Sequence, residues 1–444
     1  MLSKSFHIIT FGCQMNVHDS QWIKSALQQK GFVEAPLEEA RTIIINTCSV
    51  RKKPEEKVRS LLGRIKLITR NSSETIIVIC GCVAQQHGNN LFAWSKQVRL
   101  VAGTDVVDQI PDYLEQLLNY PEKRLLRLDF SKNIRERQDF STNNVSAMVS
   151  IMQGCDNFCS YCIVPFTRGR QKSRLKSHII SECKKKLLAG AKEITLLGQN
   201  VNAWGKDNGQ QSFAELIREI ASLPNLLRLR YITPHPRDMG REDLQVFEEF
   251  SNIQPHLHLP LQSGSDKILA DMRRRYNFEE YLNLISELRN LRPDITFTTD
   301  IIVGFPGETE EDFNCTLEAL NECGFINSFS FCYSDRPGAR ACLFPDKVPA
   351  EIQHDRLARY QQAQAKLTEN WLSSRIGTET IILLENKSPI QEKDKNTWQG
   401  RDEHGIIVHV NMSENIEHAG KLIKCRIKKA NKHSLVAYTP NPSV

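Results

Sequence analysis

Gly154-Cys155-Asp156-Asn157-Phe158-Cys159-Ser160-Tyr161-Cys162 places three thiols on one short loop, and its C-x3-C-x2-C spacing decides how the rest of the chain is read. A cubic iron–sulfur cluster is normally held by four cysteine thiolates. A three-thiolate loop therefore leaves one iron open to a ligand from outside the protein. A zinc site would want four ligands, as paired C-x2-C units or with histidines at set spacings. No fourth ligand lies close by in the sequence. The loop reads as an iron–sulfur loop.

The spacing and its continuation, Ile163-Val164-Pro165-Phe166-Thr167-Arg168-Gly169-Arg170, resemble the radical S-adenosylmethionine superfamily. The resemblance implies that S-adenosylmethionine chelates the open iron through its amino and carboxylate groups. An electron from the cluster then breaks the sulfonium C–S bond and releases a carbon radical. Tyr161, beside the third cysteine, is expected to pack near the adenine of the cofactor.

The bulk properties fit such an enzyme. At 444 residues, 40% of them hydrophobic, the chain is long enough for two or three domains with real cores. A formal charge of +6 is mildly basic and compatible with a nucleic-acid partner. Thirteen cysteines, with no signal-peptide pattern before the apolar run Phe6 to Phe11, point to a reducing compartment and metal chemistry. No apolar run is long enough to span a bilayer. The expectation is a soluble, cytoplasmic protein.

Apolar runs at His7–Phe11, Thr42–Ile45, Ile76–Ile79 and Val98–Ala102 alternate with helical patterns at Gln21–Lys30, Glu55–Ile68 and Val107–Leu118. That alternation predicts a small parallel-sheet α/β domain over 4–121. A polar linker follows, with Lys123, Arg124, Arg127, Lys132, Arg135 and Arg137. From 141 to 374 six strand-like runs separated by helical patterns predict a partial (β/α)6 barrel, short of the usual eight units, ending in a long polar helix from Pro349 to about Trp371. Strand-like runs at Thr380–Leu384, Ile406–Val410, Leu422–Ile427 and Ser434–Tyr438 predict a small β-barrel over 375–440.

Cys13, Cys48 and Cys82 stand 35 and 34 residues apart, about one βα unit, and each follows a predicted strand. In a parallel sheet the carboxyl ends of the strands share one edge, where ligands bind. The three thiols are thus candidates for a second cluster with an open iron. Cys80 rivals Cys82 on spacing, since both would point to one face of a continuing strand.

The runs Phe11-Gly12-Cys13-Gln14-Met15-Asn16, Asn46-Thr47-Cys48-Ser49-Val50-Arg51 and Gly81-Cys82-Val83-Ala84-Gln85 resemble the cluster motifs of the methylthiotransferase family. Further similarities are Leu196-Leu197-Gly198-Gln199-Asn200-Val201-Asn202, His256 to Ser265 and Thr299 to Thr309, so the likeness runs from residue 4 to about 340. Gln14-Met15-Asn16 is most similar to the branch that acts on N6-isopentenyladenosine beside the tRNA anticodon. The resemblance selects Cys82 over Cys80. It implies two 4Fe-4S clusters, one on Cys155, Cys159 and Cys162 that cleaves S-adenosylmethionine, and one on Cys13, Cys48 and Cys82 that carries sulfur. It also implies a reducing donor such as flavodoxin or ferredoxin. The chemistry demands this equipment: the sp² C–H of a base carbon is neither acidic nor a hydride donor, and a primary carbon radical can remove its hydrogen. No catalytic side chain beyond the two clusters is assigned.

Gln199, Ser263, Gly304 and Glu308 fall at carboxyl ends of predicted barrel strands, where βα loops build active sites, and are candidate cofactor contacts. Arg168 and Arg170 open a basic run at the cysteine loop and are candidate RNA contacts. The tail is similar to a TRAM domain, a small barrel that grips RNA, with Arg401, Lys424 and Arg426 as its candidate contacts. Asp402-Glu403-His404-Gly405 departs from the threonine and asparagine expected after Gly400-Arg401. Two alternatives keep the chemistry and change the target: threonylcarbamoyl-adenosine in tRNA, or a ribosomal-protein aspartate. A third is of another class, a non-catalytic iron–sulfur electron carrier or a zinc-stapled RNA-binding module.

Overall fold

Isoleucine-rich segments build the first sheet. Ile43-Ile44-Ile45 and Ile76 to Ile79 are fully buried, as strands covered on both faces must be. The computed structural model describes residues 4–49, 52–69, 74–132, 134, 144–209, 212–390, 396–412 and 417–440. Val50 and Arg51 of the second cysteine motif, and Arg135 and Arg137 of the basic linker, lie outside them.

Strands β1 (Ser5–Phe11), β2 (Val33–Glu34), β3 (Thr42–Thr47), β4 (Ile76–Gly81), β5 (Val98–Ala102) and β6 (Leu125–Arg127) form a six-stranded sheet in the order β2-β1-β3-β4-β5-β6. Every pair in it is parallel. Helices α1 (Gln14–Gln29), α2 (Lys52–Ile68), α3 (Cys82–His87) and α4 (Ile110–Asn119) connect it. One apolar layer gathers Ile23, Leu27, Val78, Leu100 and Leu114, and the other Val58, Leu62, Ile77 and Val101. The central strands β1, β3 and β4 are neighbours, so the residues that follow them share one sheet edge.

The second parallel system starts at Ser146–Ser150 and continues through Glu193–Leu197 and Arg228–Tyr231, then His256–His258, Thr296–Val303 and Asn327–Cys332. These make two three-stranded parallel sheets joined by the bridge Leu229↔Ile253. Six strands in chain order, each followed by helix, are the expected partial barrel. The tail closes into a five-stranded barrel of Glu379–Lys387, Asn396–Arg401, Ile407–Met412, Leu422–Ala430 and Ser434–Tyr438. Its core packs Ile382, Leu384, Trp398, Val408, Cys425 and Leu435. The strand Asn396–Arg401 carries no run in the sequence reading, because Asn396, Gln399 and Gly400 mask its pattern.

By packing, the chain divides into two compact units. The first joins Met1–Phe140 with Met152–Arg174 and Ser334–Cys342, and the second holds Ser141–Ile151, Leu175–Tyr333 and Leu343–Val444. The cysteine loop therefore packs with the N-terminal sheet. Among the described residues no helix is long and apolar enough to cross a membrane.

Candidate metal centres and strand-end sites

Each of β1, β3 and β4 delivers a cysteine to the shared edge. Cys13 caps α1, Cys48 follows β3, and Cys82 is the first residue of α3. Cys48 lies in side-chain hydrogen-bonding contact with both Cys13 and Cys82. The three distant thiols meet. Gly12 makes the meeting possible: its φ is +149°, and a Cβ there would stand 2.6 Å from Cys48 Cβ.

Buried amides hold this edge in register. Asn16 donates through Nδ2 to Asn46 Oδ1 at 3.0 Å, and Asn46 Nδ2 donates to the Asn16 carbonyl at 2.9 Å and to Ser20 Oγ at 3.0 Å. The Cys48 amide donates to the Phe11 carbonyl at 3.0 Å. Asn46 was open to sequence reasoning as a polar residue at the end of a buried isoleucine run.

The charges suit thiolates. Hydrogen bonding from Cys48 and the nearby Arg168 hold the Cys13 and Cys82 thiols well below the usual thiol range, against the opposing effect of burial. Cys48, which shares its proton with both, is pushed up. Thiolate is the form that binds iron, so this donor set fits a cluster. Burial pushes the Cys80 thiol far up, and it packs in the sheet core.

The expectation that Arg168 contacts RNA is corrected here. Arg168 is 3% exposed and Asp19, 1% exposed, accepts from its Nη2 at 3.3 Å. Burial alone disfavours the guanidinium charge. The neighbouring Cys82, Asp19 and Cys13 charges outweigh it and hold Arg168 protonated above its ordinary value. It faces the thiols and offers nothing to a phosphate.

The second thiol set is shaped by its own loop. Gly154, with φ +80°, has the Arg170 carbonyl 2.1 Å from where a Cβ would sit, so only glycine lets the loop cross its return strand. Met152–Gln153 pairs antiparallel with Lys172–Ser173, and the Cys155 amide donates to the Gly169 carbonyl at 3.3 Å. Backbone amides of Asn157 and Val164 donate to Cys155 Sγ and Cys162 Sγ at 3.5 and 3.4 Å. Such N–H···S bonds favour thiolate sulfur. Lys172, buried, donates to Asp105 at 2.8 Å, and Gln153 Nε2 donates to the same carboxylate at 3.0 Å. Tyr161 is half-buried. Arg170 is 72% exposed and pairs with Asp156 at 2.8 Å. Among the described residues no three His, Cys, Asp or Glu side chains gather as ligands of one metal ion; a cube takes its anchors on separate irons.

In the second unit the strand-end candidates differ among themselves. Gln199 is half-buried after Glu193–Leu197. Ser263 is fully buried, its Oγ 3.3 Å from Thr316 Oγ1 and accepting from the Ser265 amide at 3.2 Å. Through these bonds Ser263 supports the loop that carries it. Glu308 accepts through one oxygen from the Gly304 amide at 2.6 Å and from Arg356 at 2.8 Å, while its other oxygen has no hydrogen-bond partner among the described residues. Burial pushes its carboxyl up to about 7.

In the tail barrel Lys424, 65% exposed, pairs with Glu379 at 2.6 Å, and Arg426 lies 3.8 Å from the same carboxylate. Arg401 pairs with Glu385 at 3.3 Å. The loop that departs from the expected motif turns inward. Arg228 donates to the carbonyls of Arg401, Asp402 and Ile381 at 2.7, 3.2 and 2.8 Å, and Glu403 accepts from Thr380 Oγ1 at 2.8 Å.

A three-thiol loop beside a parallel sheet, with a six-strand partial barrel in the same chain, defines a radical S-adenosylmethionine protein. The Radical SAM superfamily model matches residues 149–320, and the Uncharacterized protein family UPF0004 model matches residues 5–103. The chain is 50% identical to tRNA-2-methylthio-N(6)-dimethylallyladenosine synthase of Lawsonia intracellularis, covering 98% of this chain and 99% of that protein. The protein of the same name from Nitratidesulfovibrio vulgaris is 49% identical over 98% of each chain, and that from Carboxydothermus hydrogenoformans 40% over 96% and 97%. Among solved structures, the radical S-adenosylmethionine methyltransferase TsrM from Kitasatospora setae matches with a TM-score of 0.56 at 12% identity, covering 77% of each chain, a likeness of fold. The chain belongs to the tRNA-2-methylthio-N(6)-dimethylallyladenosine synthase family.

Proposed function

We infer that this chain is a radical S-adenosylmethionine methylthiotransferase that converts N6-isopentenyladenosine, next to the tRNA anticodon, into its 2-methylthio form. The observation that carries the reading is the near-half identity, end to end, to proteins bearing that name. The meeting of Cys13, Cys48 and Cys82, in one compact unit with the Cys155–Cys162 loop, supports it. Cys155, Cys159 and Cys162 would hold the 4Fe-4S cluster that binds S-adenosylmethionine, and Cys13, Cys48 and Cys82 the second. Bound there, these groups supply a 5′-deoxyadenosyl radical and a methylated sulfur.

The protein's own residues do the rest. Amide donors point at Cys155 and Cys162 sulfur, Gly154 lets the loop close, and Arg168 offsets charge at the other triad. Tyr161, Gln199, Gly304 and Glu308 are the proposed cofactor contacts. Arg170, Arg401, Lys424 and Arg426 are the proposed RNA contacts, and binding through them weakens as salt rises. Residues 4–121, 141–374 and 375–440 are the proposed division into sulfur-carrying, radical-generating and RNA-gripping parts. A flavodoxin- or ferredoxin-like reductant in the cytoplasm would provide electrons.

Three measurements test the reading. Transfer RNA from a strain lacking this gene should lose 2-methylthio-N6-isopentenyladenosine and accumulate N6-isopentenyladenosine; persistence of the methylthio nucleoside sinks the substrate assignment. Anaerobic protein should hold about eight irons per chain, and Cys159→Ala should abolish 5′-deoxyadenosine formation. Undiminished yield from that variant would contradict the role of the loop.

A further inference from the structure

Arg168 and Asp19 form a buried ion pair that no pattern in the sequence announces. Both are nearly inaccessible, with Nη2 and Oδ2 3.3 Å apart. Arg168 also hydrogen-bonds Cys82 and faces Cys13 and Cys48 electrostatically. Its backbone belongs to the loop of the other thiol set, where the neighbouring Gly169 carbonyl accepts from the Cys155 amide. One side chain thus starts beside one set of anchors and ends beside the other.

A buried guanidinium is costly to desolvate unless its charge is answered. Asp19 answers that charge in part. The thiols of Cys82, Cys13 and Cys48 also act on it, and they become negative charges once they bind metal. A fixed cation in low dielectric favours the more negative of two redox states. One-electron reduction of a cube adds one negative charge to the assembly.

We propose that Arg168 is a positioning residue that sets the reduction potential of the cluster held by Cys13, Cys48 and Cys82, with Asp19 as the counterweight that limits its effect. The inference rests on the reading of that triad as a cluster site. It assigns opposite signs to the two partners. Removing the cation makes the cluster harder to reduce, and removing the carboxylate makes it easier.

The test is a dithionite titration with mediators, followed by electron paramagnetic resonance, on the full-length chain carrying Cys155→Ala, Cys159→Ala and Cys162→Ala to isolate this cluster. Arg168→Gln should disfavour reduction at least tenfold, a midpoint about 59 mV more negative for one electron. Arg168→Lys should recover most of that shift. Asp19→Asn, nearly isosteric, should move the midpoint the other way. It decides the matter where Arg168→Gln fails to fold. Retained iron with an unmoved or negatively shifted Asp19→Asn midpoint overturns the inference alone. A chain that binds no iron through this triad overturns the cluster reading as well.

Discussion

His235 shows what burial does to a single group. It is nearly buried after the strand Arg228–Tyr231, and neither ring nitrogen has a hydrogen-bond partner among the described residues. Burial, then Arg274, depress its affinity for a proton; Asp238 opposes them, and Arg237 and Arg275 add to them. The folded chain holds this imidazole neutral, while the unfolded chain takes up a proton near pH 6.5. Its contribution to stability is therefore intact above that pH and shrinks as pH falls below it. Between pH 7.5 and pH 6 the wild type should lose about 0.8 kcal/mol more than His235→Asn, by urea denaturation of cluster-free protein. Equal losses would mean that His235 titrates freely in the fold. The same scale separates what sequence reveals from what it hides. The six cysteines stand out as residue types at telling positions. Arg168 looked like one of a run of surface cations, because its partner lies 149 residues away and composition carries no record of burial.

Among elements, the helix Glu310–Cys323 carries the clearest local code. Thr309 Oγ1 accepts from the Asp312 amide at 3.2 Å, and Asp312 Oδ2 accepts from the Thr309 amide at 2.9 Å, a reciprocal cap. Asp312 also accepts from Ser265 Oγ at 2.6 Å, tying the helix start to the preceding strand-end loop. Thr309→Ala should cost about 1 kcal/mol by chemical denaturation. A variant as stable as wild type would show the cap redundant with the Ser265 tie. Its apolar spacing, cap and acidic first turn agree. Helix α1 reads less plainly: the sequence pattern starts it at Gln21, while the structure starts it at Gln14. Asn16, Asp19 and Ser20 point inward to serve the thiol edge, which breaks the apolar period that marks a core-facing helix. Edge strands β2 and β6, two and three residues long, fall below the length at which alternation can be recognised.

At the scale of the molecule, Arg228 fastens the tail barrel to the partial barrel within the second unit through three carbonyls. Hydrogen bonds from a charged donor are worth more than neutral ones, and leaving buried carbonyls unpaired adds to the loss. Arg228→Met should lower stability by at least about 3 kcal/mol and make the segment between Ser374 and Glu379 newly sensitive to protease. Unchanged cleavage would assign the attachment to other contacts. The fold class was readable because parallel strands alternate with helices along the chain, a pattern set by local periodicity. Which segments share a unit was not, because packing partners distant in sequence decide it.

The segment Ser334–Cys342 returns to the first unit after the whole barrel has been laid down, and its Ala341 amide donates to the Ser160 carbonyl, inside the cysteine loop, at 2.8 Å. A ribosome making this protein must therefore emit the chain through Cys342 before that loop has its closing strap. Until then the loop of Cys155, Cys159 and Cys162 lacks the hydrogen bond that Ala341 supplies. A nascent chain arrested earlier presents three oxidisable thiols with their lid still unmade.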